Sequence, residues 1–318
     1  MRYFLILALV NLMWAFQFSG AKIATERLGP VTVTLIPLAL STLLLAPFAL
    51  AHGRRRRRTG GASLRAGLWS FLLLGTIGTV ASQLGLTWGV ERSLASNAAL
   101  LTLIIPVFTA ILASLLLGEK MNALRWISFV LAILGALLVS DINWHSVRIF
   151  EGKYLLGNLL ILASCFGSAF INSYSKKVME LFSAAEVLVY TFLVADIVLL
   201  AISLVREPGA FSKLGSIGSA AWLSLLAIAV FSLSLSMLLF FWVIERVDVT
   251  QASLSIYMLP VLGVILSAIL LKEKITWQLL AGALLVFLSS FLVTALDERK
   301  KRGQVEIDVI ARNSLENT

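Results

Sequence analysis

Stretches of roughly 20 apolar residues recur from one end of this chain to the other. A helix of about that length crosses the hydrocarbon core of a bilayer. Only 14% of the 318 residues are charged, whereas soluble domains average about 25%. The stretches are too long, and alternate too little, to be strands of a membrane barrel. We therefore predict an all-α integral membrane protein with ten transmembrane helices, at residues 3–22, 31–51, 64–89, 94–117, 124–140, 154–175, 184–205, 218–244, 250–271 and 277–296.

The second half of the chain repeats the first half at an offset of 154 residues. Between Ser82–Lys120 and Ser236–Lys274, 15 of 39 positions are identical without a gap. Eight of these matches are aliphatic, which is common in so apolar a chain. Seven are more specific: Ser82/Ser236, Trp88/Trp242, Glu91/Glu245, Arg92/Arg246, Pro106/Pro260, Glu119/Glu273 and Lys120/Lys274. The chain is therefore predicted to be a duplication.

An odd number of spans in each copy fixes how the two copies are related. Each repeat contains five predicted spans, so the second copy must cross the membrane in the opposite sense. The resulting architecture is two inverted five-helix repeats with a central cavity between them, as in many transporters. The predicted divisions are residues 1–142 for the first repeat, 143–298 for the second and 299–318 for a polar cytoplasmic tail.

The basic residues lie in short loops, so the net charge of +9 indicates topology rather than nucleic-acid binding. With the N-terminus inside, 17 of the 26 basic residues are cytoplasmic, mostly in Arg54–Arg58 and the tail. Both termini are therefore predicted to be cytoplasmic, with the protein in the inner (plasma) membrane. The first span could alternatively be a signal peptide, but it lacks a convincing small-x-small cleavage site before a soluble domain, and further spans follow it.

Polar residues inside predicted spans are the candidates for a substrate cavity, because such groups usually face the bundle interior. In the first span Asn11, Trp14 and Phe18 fall on one helical stripe. The remaining candidates carry amide, hydroxyl or phenol groups in other spans: Gln83, Asn97, Asn172, Tyr190, Gln251, Ser255 and Tyr257. Hydrogen bonds between helices explain each of these residues equally well.

Asp196 is the one acidic residue well inside a predicted span. An environment of low polarity favours the neutral form of a carboxyl group, which can then carry a proton during transport. Asp196 is therefore the candidate for proton coupling. The alternative is a carboxyl group that neighbouring hydroxyl groups satisfy.

Two prolines occupy equivalent positions near the middle of the fourth and ninth spans. Pro106 and Pro260 lack an N–H group, so each frees a backbone carbonyl about one turn earlier. Both are predicted to kink their helices, either as a packing feature or as part of the transport motion.

Three sequence motifs together resemble the drug/metabolite transporter superfamily, in particular the EamA-type ten-span permeases. They are the first-span pattern Leu12–Phe18 leading to Lys22, the mid-span prolines, and the span-ending Leu-Gly-Glu-Lys at 117–120 with its counterpart Leu-Lys-Glu-Lys at 271–274. The resemblance implies a secondary transporter that exports amino acids or other metabolites by alternating access, driven by protons or by exchange.

The expected partners are a small-molecule substrate, membrane lipid and protons, with no nucleic acid, while the oligomeric state stays open. A lipid flippase or another membrane-embedded protein without transport activity is the alternative. An enzyme is not expected, because His52 and His145 fall in predicted loops, outside the predicted spans, and the chain has no HExxH motif or P-loop. No cofactor or metal site is predicted.

Overall fold

The computed structural model describes residues 2–25, 28–58, 61–93, 95–139, 145, 147–149, 151–262, 277 and 280–292. The predicted tail, the Glu-Lys pair at 273–274 and the second half of the ninth predicted span lie outside these residues. The described part of the chain consists of helices and their connections, with no strand. The α-helices are α1 (Arg2–Thr25), α2 (Pro30–Arg58), α3 (Leu64–Leu73), α4 (Ala81–Glu91), α5 (Ala95–Thr102), α6 (Ile105–Leu117), α7 (Ala123–Val139), α8 (Gly152–Met179), α9 (Ala184–Arg206), α10 (Ser219–Ala227), α11 (Ser236–Ile244), α12 (Val249–Ser253) and α13 (Leu280–Leu292).

Six helical segments of the described chain are long and apolar enough to cross a membrane: Pro30–Arg56, Leu64–Glu91, Leu100–Leu117, Gly152–Met179, Ala184–Arg206 and Ser219–Ile244. Four shorter apolar helices accompany them, at Arg2–Gln17, Ala123–Leu138, Val249–Leu262 and Leu280–Leu292. The predictions of an all-α fold and of a multi-pass membrane protein are confirmed at this level. Leucine side chains on the outer helix faces, such as Leu43 and Leu115, are more than two-thirds exposed, as lipid-facing positions require.

A π-helical turn interrupts the third and the eighth predicted spans at equivalent places. The first turn is Leu74–Val80, between α3 and α4, and the second is Ile228–Leu235, between α10 and α11. Their first residues are 154 positions apart, so the offset of the sequence repeat recurs in the backbone. At the first turn Gly75 meets α9 so closely that a Cβ atom would lie 2.6 Å from the Val194 side chain. Single π-helical turns of this kind occur frequently at functional sites.

The two mid-span prolines each follow a local departure from the α-helix. A turn at residues 103–104 separates α5 from α6, whose first turn contains Pro106. A proline is well tolerated there, because the first N–H groups of a helix have no partner within it. In the ninth span a 3₁₀ segment, Leu254–Tyr257, comes before Pro260.

Two hydrogen bonds join residues that are 154 positions apart in the sequence. The Thr42 hydroxyl on α2 donates to Asp196 on α9 over 2.7 Å. The Tyr257 hydroxyl donates to the carbonyl of Leu103, in the turn before α6, over 2.9 Å. We call the residue 154 positions away in the other half the repeat-equivalent residue. Two repeat-equivalent residues contact each other when a two-fold axis passes between them.

The main apolar core packs α1, α2, α9 and α11 together, and Tyr257 and Leu103 belong to a second, smaller core. The largest fully buried side chains of the main core include Leu7, Leu38, Leu188, Phe240 and Phe241. At this core α2 runs along α9, and elsewhere α4 runs along α8. The closest helix pairs thus combine one helix from each half of the chain.

Candidate substrate path

A cavity of about 160 Å³ opens among α1, α2, α4 and the second π-helical turn. Four of its lining side chains are polar and uncharged: Gln17, Thr34, Gln83 and Thr87. The other seven are apolar: Ala21, Val33, Pro37, Leu38, Leu86, Ile228 and Leu233. No described ionisable side chain lines the cavity, so it suits a ligand with an apolar body and groups that form hydrogen bonds.

The two ends of the helix bundle differ in their charged residues. We call the end that carries Arg56, Glu119 and Asp248 the charged end, and the end that carries Glu207 the opposite end. At the opposite end, Glu207 accepts hydrogen bonds from the N–H groups of Val31 and Thr32 at the start of α2. The cavity-lining residues Val33 and Thr34 follow directly on α2. The cavity therefore lies in the half of the bundle nearer the opposite end.

At the charged end, Glu119 from the first half of the chain holds the start of α12 from the second half. Its two carboxylate oxygens accept hydrogen bonds from the N–H groups of Val249 at 2.7 Å and Thr250 at 2.9 Å. The first N–H groups of a helix are unpaired and carry partial positive charge, so a carboxylate there is favourable. Lys176 from α8 lies 3.7 Å from the same carboxylate and donates to the Val247 carbonyl over 2.7 Å.

Two further ion pairs tie helices together at the charged end. Arg125 of α7 pairs with Asp248 just before α12 and is only 4% exposed. Arg56 of α2 pairs with the buried Glu186 of α9 over 2.9 Å. Because these pairs are shielded from water, salt screens them less than exposed pairs. The charged end is therefore closed by polar contacts between segments from both halves.

Between the cavity and the charged end the bundle is filled by side chains of α1 and its neighbours. The Trp14 ring lies 5.3 Å from the ring of Phe240 on α11. One turn closer to the charged end, the Asn11 amide donates to the Ser255 hydroxyl over 2.9 Å. A solute in the cavity therefore meets an aromatic contact first and a buried polar contact after it.

The structure distributes the predicted cavity residues over several places. Gln83 lines the cavity. Asn11 of α1 contacts Ser255 in the 3₁₀ segment, and Gln251 is buried on α12 just before that segment. Asn97 instead takes part in a network at the opposite end, where its amide donates to Ser93 and Asn158 and accepts from the backbone of Arg148.

The remaining candidates pack against neighbouring helices. The Tyr190 ring lies 5.0 Å from the Phe71 ring of α3 in a tilted arrangement, and Asn172 is buried on α8. Tyr257 is bound to the Leu103 carbonyl as described above. The Phe18 side chain lies outside what the structure describes. The sequence analysis did not predict Gln17, Thr34 and Thr87 as cavity residues. Gln17 could have been predicted on the same ground as Gln83, because both are amides within an apolar span.

Asp196 lies in the seam between α2 and α9 rather than among the cavity-lining residues. Its Oδ2 atom accepts the hydrogen bond from Thr42, while its buried Oδ1 atom has no hydrogen-bond partner among the described residues. The helices packed against α9 at this seam are α2 and the first π-helical turn. No basic side chain of the described chain pairs with Asp196.

A family comparison identifies the kind of protein that has this architecture. The model of the EamA-like transporter family matches residues 1–141 and 155–295 of this sequence. The chain belongs to the EamA-like transporter family. It is therefore a multi-pass membrane transporter.

Individual relatives agree with this assignment. The uncharacterized transporter YoaV of Bacillus subtilis is 21% identical over 92% of this chain and 96% of its own length. A probable terminal-alkyne amino-acid exporter of Streptantibioticus cattleyicolor is 25% identical over 84% of each chain. A solved crystal structure superposes with a TM-score of 0.76 at 17% identity, covering 94% of this chain and 98% of that chain, and so shares the fold.

The two family matches divide this EamA-like transporter close to the predicted repeat boundary. Each match carries one mid-span proline and one of the two π-helical turns. Among the described residues of the transporter, no group of three or more His, Cys, Asp or Glu side chains could hold a metal ion.

Proposed function

We propose that this protein is a secondary transporter that exports small metabolites such as amino acids by alternating access. The observation that carries the proposal is the asymmetry of the path: a cavity with no charged side chain among its described residues lies towards the opposite end, while the shielded ion pairs Arg125–Asp248 and Arg56–Glu186 close the charged end. A transporter that exposes one site to the two sides in turn requires such a difference between its ends.

The architecture we propose is ten transmembrane helices in two inverted repeats, residues 1–142 and 143–298. The hydrogen bonds Thr42–Asp196 and Tyr257–Leu103 support it, because an axis of two-fold pseudosymmetry in the membrane plane would pass between each pair. The π-helical turns at equivalent positions support it as well.

We further propose that the charged end faces the cytoplasm and that the protein lies in the inner membrane. The described basic residues Arg54, Arg56, Arg125 and Lys176 all belong to this end, which agrees with the preference for positive charge on the cytoplasmic side. In this orientation the cavity faces outwards, as expected after an exporter has carried its substrate across.

The substrate class is supported by two independent features. One relative is named as a probable amino-acid exporter, and the cavity presents amide and hydroxyl groups without a fixed charge. A cavity of about 160 Å³ is smaller than the roughly 300–1,000 Å³ of drug-sized sites. A small metabolite therefore fits better than a bulky drug.

Counterflow in proteoliposomes tests this proposal. Vesicles are preloaded with one unlabelled amino acid or other small metabolite at a time, and uptake of the labelled compound is followed with and without a pH gradient. Saturable uptake of at least one solute, absent from protein-free vesicles, is the expected result. No solute uptake by correctly inserted protein, together with movement of a labelled lipid, would reject the proposal in favour of a flippase.

A further inference from the structure

A buried polar cluster lies deeper in the bundle than the cavity, where α1 meets the 3₁₀ segment that follows α12. Asn11, Gln251 and Ser255 form it, and they are 0%, 2% and 0% exposed. The Asn11 Nδ2 group donates to the Ser255 hydroxyl and to the Leu7 carbonyl, over 2.9 and 2.7 Å. Gln251 lies on α12, four residues before Ser255.

Two polar atoms of this cluster have no hydrogen-bond partner within the described chain. They are the acceptor Asn11 Oδ1 and the donor Gln251 Nε2, and both are buried. Each such atom costs free energy, because it has lost its hydrogen bonds to water and gained none in return. Buried amides left in this state need an explanation beyond packing.

The other half of the chain shows that the fold does not require these polar groups. The repeat-equivalent residues of Asn11 and Ser255 are Cys165 and Leu101, which also touch each other: the Cys165 Sγ atom lies 3.7 Å from the Leu101 carbonyl oxygen. Around them the packing is apolar, with Ala98 and Ile161 buried beside Cys165. The same helix crossing is therefore built once with polar and once with apolar side chains.

Gln251 differs from its repeat-equivalent residue in the same way. That residue is Asn97, whose amide nitrogen donates to Ser93 and Asn158 and whose oxygen accepts from Arg148. Asn97 thus has a structural role that uses both ends of its amide. The Gln251 side chain is placed in the core with its amide nitrogen unused.

We propose that Asn11, Gln251 and Ser255 form the site that holds the head group of a zwitterionic substrate, an α-amino acid with both its ammonium and its carboxylate group. The Asn11 Oδ1 atom accepts a hydrogen bond from the ammonium group, and Gln251 Nε2 donates one to the carboxylate. This inference rests on the proposed transport function and narrows its substrate class.

The charge of the cluster decides between zwitterions and ions. None of its three side chains is ionisable, so a ligand with a net charge would enter without a counter-charge, which is costly at membrane depth. A zwitterion has no net charge and supplies both a donor and an acceptor.

The position of the cluster suits a site that alternates between the two sides. Asn11 lies six residues from the cavity residue Gln17 on the same helix, a rise of roughly 9 Å. The contact between Trp14 and Phe240 lies between them. Separation of these two rings therefore connects the head-group site with the cavity.

The test uses two sets of variants of the full-length protein. Gln251→Met removes the unused amide while keeping the shape of the side chain. The double variant Asn11→Cys with Ser255→Leu installs the residues that the other half of the chain uses at the same crossing. Thr191→Val is the matched control, because Thr191 Oγ1 is another buried atom without a partner but lies on α9, away from the cluster.

Each variant is measured by thermal stability and by counterflow with each of the twenty L-amino acids. For the best substrate, the corresponding amine without the carboxylate and acid without the amine are also tested. We expect Gln251→Met and the double variant to melt at or above the wild-type temperature and to bind the amino acid at least tenfold more weakly. Thr191→Val should keep wild-type affinity, and both single-charge analogues should bind at least tenfold more weakly than the amino acid.

The outcomes separate this inference from the transport function itself. Wild-type affinity in Gln251→Met, or equal binding of the single-charge analogues, overturns the head-group site. If a solute that is not a zwitterion shows counterflow, and Gln251→Met does not change that counterflow, the head-group site is rejected and the transport function is supported. Stabilisation of the wild type, but not of Gln251→Met, by an amino acid that is not transported supports the site and rejects transport.

Discussion

Individual polar residues of this transporter fall into two groups according to whether their hydrogen bonds are complete. Asn97 and Glu119 use their side chains fully and connect segments distant in sequence. Asn11, Gln251 and Asp196 each keep a buried polar atom without a partner among the described residues. A buried polar atom without a partner lowers the stability of the folded state. Substitutions of the residues that carry such atoms are therefore the most informative about function.

The pH dependence of transport is expected to depend on Asp196. Asp196→Asn keeps an oxygen that accepts the hydrogen bond from Thr42, so the seam between α2 and α9 should stay intact. Because an amide does not carry a proton at physiological pH, uptake driven by a pH gradient should fall to the level without a gradient. Counterflow at equal pH should stay within about twofold of wild type.

Glu91→Gln serves as the comparison, because the Glu91 side chain is 48% exposed, pairs with Arg92 at the surface and has no part in this seam. Proton-driven uptake that survives in Asp196→Asn would show that the carboxyl group only joins two helices.

At the scale of helices, some interruptions could be predicted from the sequence and others could not. The breaks before Pro106 and Pro260 follow from the missing N–H group, a local property of one residue. The two π-helical turns have no such local cause, because their sequences continue the apolar pattern of the spans. They depend on packing, as the close approach of Gly75 to Val194 illustrates.

The same distinction applies to the candidate path. The family motif pointed to Glu119, but its partners Val249 and Thr250 are 130 and 131 residues away, so no spacing rule could supply them. Gln83 was predicted as a cavity residue because it is an amide inside an apolar span. Thr34 and Thr87 line the cavity only because of how α2 and α4 pack, which a single sequence does not encode locally.

The break between α5 and α6 is expected to contribute to turnover. In Pro106→Ala the restored N–H group can extend α6 backwards through residues 103–104, which would stiffen the fourth span. Counterflow should therefore slow by several-fold at equal protein level. Pro47→Ala is the control, because Pro47 lies inside α2 on an exposed face, and wild-type flux in Pro106→Ala would make the break a packing feature only.

The carboxylate of Glu119 is expected to stabilise the closed charged end. Glu119→Gln removes the charge that meets two N–H groups and Lys176, and hydrogen bonds to a charged group contribute about 1.5–3 kcal/mol. The melting temperature should fall measurably. Glu91→Gln should leave it unchanged, because the Glu91 side chain is 48% exposed and pairs only with Arg92 at the surface.

For the molecule as a whole, the sequence offset of 154 residues allows positions in the two halves of the chain to be compared residue by residue. At the opposite end the cavity is lined by Gln17, Gln83 and Thr87. Their repeat-equivalent residues towards the charged end are Ile171, Met237 and Phe241, which pack in or against the main core. Equivalent positions therefore carry polar side chains at the cavity and apolar side chains in the core, and this difference predicts which end admits a reagent.

Accessibility to a membrane-impermeant thiol reagent tests that expectation. In a Cys165→Ser background, which removes the one native cysteine, Gln83→Cys should react from one face of the membrane only. Met237→Cys should react at least tenfold more slowly from either face, because its side chain packs against the core. A transported solute at saturating concentration should reduce the difference between the two labelling rates, because turnover takes the protein through both conformations. Equal labelling of the two positions without solute would mean that the charged end is not closed, and alternating access would then lose its structural support.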